Sequence, residues 1–220
     1  MNSFKCYNSY IGLKPMLIMY VGYPIVVGVY AMIQLGFMHM TWMMTGVFCL
    51  VMLCTMTLLY ILDRWYIGPI FVDKGQDDEL IKSSARGAEF IKNVLLLDII
   101  FRFILMLALT IILVAVMVIS GYFEEYKVKI LTSALVFLLA TDGVCNLTVI
   151  ICRLVNSSEE AVVDLLGLGM TFIPAVAAIM MGLPVVSFII AGIYLGLDIV
   201  SIAVNIKKTK ELVNVEWYKD

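Results

Sequence analysis

Charge is scarce in this chain. Only 15% of its 220 residues are Asp, Glu, Lys or Arg, against 63% that are hydrophobic. A water-soluble fold of this length cannot cover so much apolar surface, so that class is excluded. Histidine is scarcer still, with His39 alone. One imidazole excludes a His pair and an H-E-x-x-H helix, and its place in a short outer turn argues against a Ser-His couple. The nearest downstream thiol, Cys49, stands ten positions away, roughly 15 Å along a helix, which argues against a Cys-His peptidase. The five cysteines, Cys6, Cys49, Cys54, Cys145 and Cys152, make no C-x-x-C pair and no zinc-finger spacing. They read as small apolar residues and leave the redox compartment open. No G-x-x-x-x-G-K-[ST] phosphate loop is present, so the chain carries no nucleotide-hydrolysing motif of that kind. No basic block interleaved with aromatics points to nucleic acid. Residues 1–14 lack the basic, apolar and small-residue layout of a cleaved signal peptide. The first apolar stretch is therefore expected to stay as both anchor and targeting signal.

What is present is length and apolar continuity. Six stretches near the length of a spanning helix can be drawn, at residues 16–36, 42–62, 94–120, 130–152, 161–181 and 185–206. They predict an all-α membrane protein with a single six-span domain over residues 1–220. With the N-terminus cytoplasmic, thirteen of the fifteen Lys and Arg residues fall in cytoplasmic segments or at their borders, and only Lys127 and Lys129 fall outside. Lys/Arg bias in loops sets orientation. The bias predicts a multi-pass protein of the cell membrane with both termini cytoplasmic. Residues 1–15 form a mildly amphipathic lead-in, with Phe4, Tyr7, Tyr10 and Ile11 at helical spacing, suited to a helix in the interface. Pro15 sits where a first helical turn tolerates it. The outer connections are short: residues 37–41, the charged loop 121–129, and the tight turn Gly182-Leu183-Pro184. The tail, 207–220, begins with Lys207-Lys208-Thr209-Lys210.

Polar residues recur inside the apolar stretches. Asp142 falls near the middle of the fourth, where a carboxylate costs about 2.5–3.5 kcal/mol on insertion scales and must face protein or water. Helical spacing aligns it with Asn146 and Arg153, beside Thr141, Cys145, Thr148 and Cys152. The sixth stretch carries Ser187, Tyr194, Asp198, Ser201 and Asn205 at steps of three and four, with Ala191 in register. Asp98 and Arg102 are an i,i+4 pair near the inner end of the third. Three readings stand side by side for these stripes: interhelical hydrogen bonding, the lining of a substrate route or subunit interface, and a proton relay through Asp142 and Asp198. Met38-His39-Met40 with Met43 and Met44 has donors that suit soft ions, but reads more plainly as a Met-rich helix end. No metal site is expected.

The one long hydrophilic loop, residues 63–93, is cytoplasmic under this topology. Gly68-Pro69 and Lys74-Gly75 break it, and Asp77, Asp78 and Glu79 stand where the positive end of a new helix favours acids. Leu80, Ile81, Lys82 and Ser83 complete a short helix with apolar residues flanked by charge. A further helix is expected to begin near Ala85 and to run through Phe90 and Ile91 into the third span. In this layout the chain resembles permease subunits of bacterial ATP-binding-cassette exporters of the second type. Those have six spans, cytoplasmic termini, an interfacial N-terminal helix and a coupling helix between spans two and three. Many carry an Asp/Glu-Glu-Leu-Leu-x-Ser-Leu-Pro-like stretch there. This chain has Asp78-Glu79-Leu80-Ile81-Lys82-Ser83-Ser84, then Arg86, with Ser84-Ala85 in place of the Leu-Pro step.

The resemblance implies a protein that is not itself an enzyme and holds no cofactor. ATP and Mg would be bound by a separate ATP-binding-cassette ATPase subunit, which would receive Asp77 to Ser83 as the coupling helix. A second permease copy, identical or paralogous, would face this one within the membrane lipid. The pathway between them would be lined by parts of the first, second and fifth spans. Its substrate would be hydrophobic or amphipathic, best matched by peptides such as toxins or bacteriocins. Fifteen methionines suit adaptable apolar surfaces. The alternatives are the membrane-embedded substrate-binding subunit of a vitamin or metal importer, against which the minimal outer loops argue, and an intramembrane enzyme using Ser-Lys or paired-Asp chemistry. The topology is checked by labelling intact cells with a membrane-impermeant maleimide. Glu125→Cys is expected to react, and Gly75→Cys to react only after lysis.

Overall fold

In a computed structural model, residues 3–37, 41–62, 87–154, 173, 175–177, 179 and 182–215 are described. Nearly all of them are helical. In chain order the helices are α1 (Ser3–Ile11), α2 (Leu13–Leu17), α3 (Tyr23–Phe37), α4 (Thr41–Leu62), α5 (Gly87–Ile119), α6 (Tyr122–Leu154) and α7 (Pro184–Val215), with a π-helical turn at Ile18–Gly22 joining α2 to α3. Five stretches are long and apolar enough to cross a membrane: Leu13–Leu35, Thr45–Leu62, Glu89–Ile119, Tyr122–Leu147 and Pro184–Val204. They match the expected first, second, third, fourth and sixth spans. The expected fifth span, residues 161–181, falls outside the described residues except for helical positions at 173, 175–177 and 179.

Local chemistry sets the breaks. Gly12 takes φ +86°, which a residue with a Cβ enters only under strain. Its amide closes α1 by donating to the Asn8 carbonyl at 3.0 Å. The π-helical turn immediately precedes Tyr23-Pro24, where the proline ring and its missing N–H disturb an ordinary α-helical ladder. The first span therefore runs on through Pro24. Two boundaries differ from the sequence expectation. The charged segment 121–129, expected as an outer loop, is helical from Tyr122, with a single break at Tyr126 (φ −119°, ψ 26°). The last helix continues past Lys207 to Val215, because nothing in Lys207-Lys208-Thr209-Lys210 stops an α-helix. Residues 77–83 lie outside the described residues.

α6 occupies the centre. Some 67% of its apolar window is enclosed by protein, against 28% for both the first and the last span. Those two keep broad apolar faces outward, among them Ile25, Val26, Val29 and Ile33 on the first, and Val185, Phe188, Ile189 and Ile193 on the last. Such faces suit lipid. The interior is continuous: Phe48 of α4 meets Phe137 of α6 with ring centroids 5.9 Å apart, among Met52, Leu105, Leu109 and Ile130. Hydroxyls within the helices bond back to the preceding turn, as Thr55 does to the Val51 carbonyl at 2.6 Å and Thr110 to Met106 at 2.7 Å. This is how isolated hydroxyls are satisfied where water is absent.

α1 is held down. Cys6, Tyr7 and Ile11 are buried against Ile91, Val94 and Leu95 at the start of α5, while Lys5 and Ser9 face out. The Tyr7 hydroxyl donates to Asp98 Oδ1 at 3.3 Å and shares a 3.1 Å hydrogen bond with the Tyr20 hydroxyl. Phe101 packs on both rings, at 4.9 and 5.4 Å. Asp98 also accepts from Arg102 Nε at 2.8 Å, and both side chains are almost fully enclosed. Burial, reinforced by the Asp98 charge, pushes the Tyr7 phenol far above its ordinary range, so it stays a donor. Asp98→Leu strands the Arg102 charge and is expected to lower stability by about 3–5 kcal/mol. Adding Arg102→Leu should restore much of the loss. Thermal unfolding in detergent measures both.

Candidate functional site

The two polar stripes seen in the sequence face each other. On α7, Ser187, Ala191, Tyr194, Asp198 and Ser201 are all buried, whereas their neighbours Ile189, Ile193, Leu195 and Ile199 are exposed. On α6, Thr141, Asp142, Cys145 and Asn146 are buried in the same way. Where the stripes meet, the Asn146 carboxamide donates to Asp142 Oδ2 at 3.1 Å, one turn back, and to Asp198 Oδ1 at 3.0 Å, across the helix pair. A single NH2 group thus joins carboxyl groups from two helices. Joined through one nitrogen, the two carboxyl groups are held close to each other. Gly143 makes the approach possible. A Cβ placed there would sit 3.6 Å from the Tyr194 carbonyl oxygen and 3.8 Å from the Asp198 Cβ, leaving room for a methyl group and little else.

Not every expected member joins. Ser201 turns its hydroxyl to the Asp198 carbonyl at 2.9 Å, and Tyr194 engages the backbone at Ala175. The side chains of Asn205 and Arg153 fall outside the described residues, as do Asp77, Asp78, Glu79, Leu80, Ile81, Lys82 and Ser83. The structure adds a feature that the two stripes did not predict. Arg102 of α5 acts electrostatically on Asp142, so the Asp98–Arg102 pair belongs to the same buried layer. Asp98 lies in the N-terminal half of its apolar window, and Asp142 and Asp198 lie in the C-terminal halves of theirs. Antiparallel neighbours bring those halves to one end of the bundle. Tyr7, which caps this layer from α1, was visible in the sequence only as part of an amphipathic face. Its partner Asp98 stands 91 positions away.

Away from the layer, an open apolar groove of about 470 Å³ runs between the first two spans, lined by Pro15, Ile18, Met19, Leu58, Ile61 and Leu62 with Lys14 beside them. Among the described residues, no three His, Cys, Asp or Glu side chains gather into a metal centre. Together these features define a class: a membrane protein whose described residues are nearly all helical, with five helices of membrane-spanning length among them and an acidic, amide-bridged layer enclosed between helices. Comparison with protein families, with curated proteins and with solved structures returns no match. Gly143→Ala is expected to be tolerated, while Gly143→Leu should force α6 from α7 and cost about 1–3 kcal/mol. Thermal unfolding of the two variants against the parent checks the difference.

Proposed function

We propose that the chain is the transmembrane subunit of an ATP-driven exporter, coupled to a separate ATP-binding-cassette ATPase. The observation that carries this reading is the seat of α1. The amphipathic helix docks on the first turns of α5, so it lies at the bundle end to which the charged segment 63–86 connects. An interfacial N-terminal helix beside the segment between spans two and three is the layout of the exporter permeases that the sequence resembles. The Lys/Arg bias gives that end to the cytoplasm, which orients both termini inward in the cell membrane. There Asp77 to Ser83 would dock on the ATPase as the coupling helix. A second copy or a paralogue completes the transport unit. The apolar groove between the first two spans is a surface of the kind such a pathway needs, and its lining fits hydrophobic or amphipathic substrates, with amphipathic peptides the best match. Other readings have less support: no large outer segment is available to enclose an importer's substrate.

A tagged chain extracted in mild detergent should bring down an ATP-binding-cassette ATPase in equal amount, identified by mass spectrometry. Glu79→Ala with Leu80→Ala should abolish that recovery and leave the chain folded. Recovery of the chain alone, with segment 63–86 freely cut by protease, would reject the coupling role.

A further inference from the structure

The bridged carboxyl groups are short of positive charge and of hydrogen-bond donors. Among the described residues, the buried charged side chains are Asp98, Asp142, Asp198 and Arg102, three acids against one guanidinium. Arg102 is committed to Asp98 at 2.8 Å, and the single guanidinium cannot balance Asp142 and Asp198 as well. The donor count runs the same way. Asp142, Asp198 and Asn146 present five acceptor oxygens, and the Asn146 NH2 supplies two hydrogens, one to each carboxyl group. Two oxygens are left with no hydrogen-bond partner, Asp142 Oδ1 and Asn146 Oδ1. Both side chains are only 1% exposed. An amide flip does not help, because it would aim the Asn146 oxygen at two carboxylates. A buried acceptor without a donor is costly, and like charges at such separation repel.

We propose that Asp142, Asn146 and Asp198 form an intramembrane site for one small monovalent cation, H+ or Na+, held between α6 and α7. Either ion supplies what the three side chains lack, a positive charge beside two carboxyl groups held by a single amide nitrogen. The near contact at Gly143 holds α6 and α7 close together beside these three side chains. Five acceptor oxygens fall short of the roughly six to eight that a dedicated calcium site takes. Among the described residues, the enclosed charged and titratable groups on the helices packed here are Asp98 and Arg102 of α5, Cys145 of α6 and Tyr194 of α7, with Cys49 of α4 half-buried. Arg102 alone of these is cationic, and it tunes the site through Asp142. The site does not depend on the exporter reading, since Asp142, Asn146 and Asp198 play no part in the coupling argument.

The test uses the full chain in lipid nanodiscs. Thermal unfolding is compared in NaCl and in choline chloride at equal ionic strength. Infrared spectra are recorded from mildly acidic to alkaline pH. Occupancy by sodium predicts a higher Tm in NaCl that is lost in Asp142→Asn. Occupancy by a proton predicts a protonated-carboxyl C=O band at neutral pH that disappears in Asp142→Asn with Asp198→Asn. Either result supports the site, and the two arms tell the ions apart. The parent chain alone can overturn it: no sodium-dependent Tm shift together with no protonated-carboxyl band at neutral pH. A shift or band that persists undiminished in the double variant overturns it equally. Neither outcome bears on recovery of an ATPase, so the two readings fail separately.

Discussion

The membrane interior offers no water to a polar group, and the Asn146 carboxamide is where this chain meets that constraint most directly. Its two N–H groups reach carboxyl groups on α6 and α7, which fixes the register of one helix against the other. A slip by one residue on either helix would turn a carboxyl group out of the stripe toward lipid, at a cost of a few kcal/mol. The central position of α6, the small residue at Gly143 and the burial of Ser187, Ala191 and Ser201 along one line of α7 all accompany that register.

The same constraint organises the neighbouring pair. Asp98 and Arg102 neutralise each other on α5, and the Tyr7 hydroxyl donates to the other Asp98 oxygen while bonded to the Tyr20 hydroxyl. A buried ion pair of this kind contributes little net stability, because desolvation offsets attraction. It contributes geometry instead. It ties α1 to α5 through the Tyr7–Asp98 hydrogen bond. Lone hydroxyls elsewhere need no such network. Thr132 bonds back to the Val128 carbonyl at 2.9 Å and stays independent of other helices. Tyr23 and Thr55 are the exception, joining the first two spans at 2.8 Å.

Much of this was legible in the chain itself. Apolar length pointed to five of the helices long enough to span a membrane. The i,i+4 spacing of Asp98 with Arg102 and of Asp142 with Asn146 is short-range, so each pair could be read directly from its own helix. The outer segment 121–129 misled because Glu124, Glu125, Lys127 and Lys129 look like a loop. In fact charge at a helix end is compatible with helix, and the break is confined to Tyr126.

The sequence by itself determined that the stripes exist, because helical period and hydropathy are properties of each segment alone. Only the tertiary structure decided that the stripe on α6 meets the stripe on α7, and that Tyr7 finds Asp98 across 91 positions. Helix period fixes which residues share a face, but not which helix that face will meet. In a bilayer the apolar faces are nearly interchangeable, so partner choice falls to the few polar groups that must be satisfied and to the glycine that lets them approach.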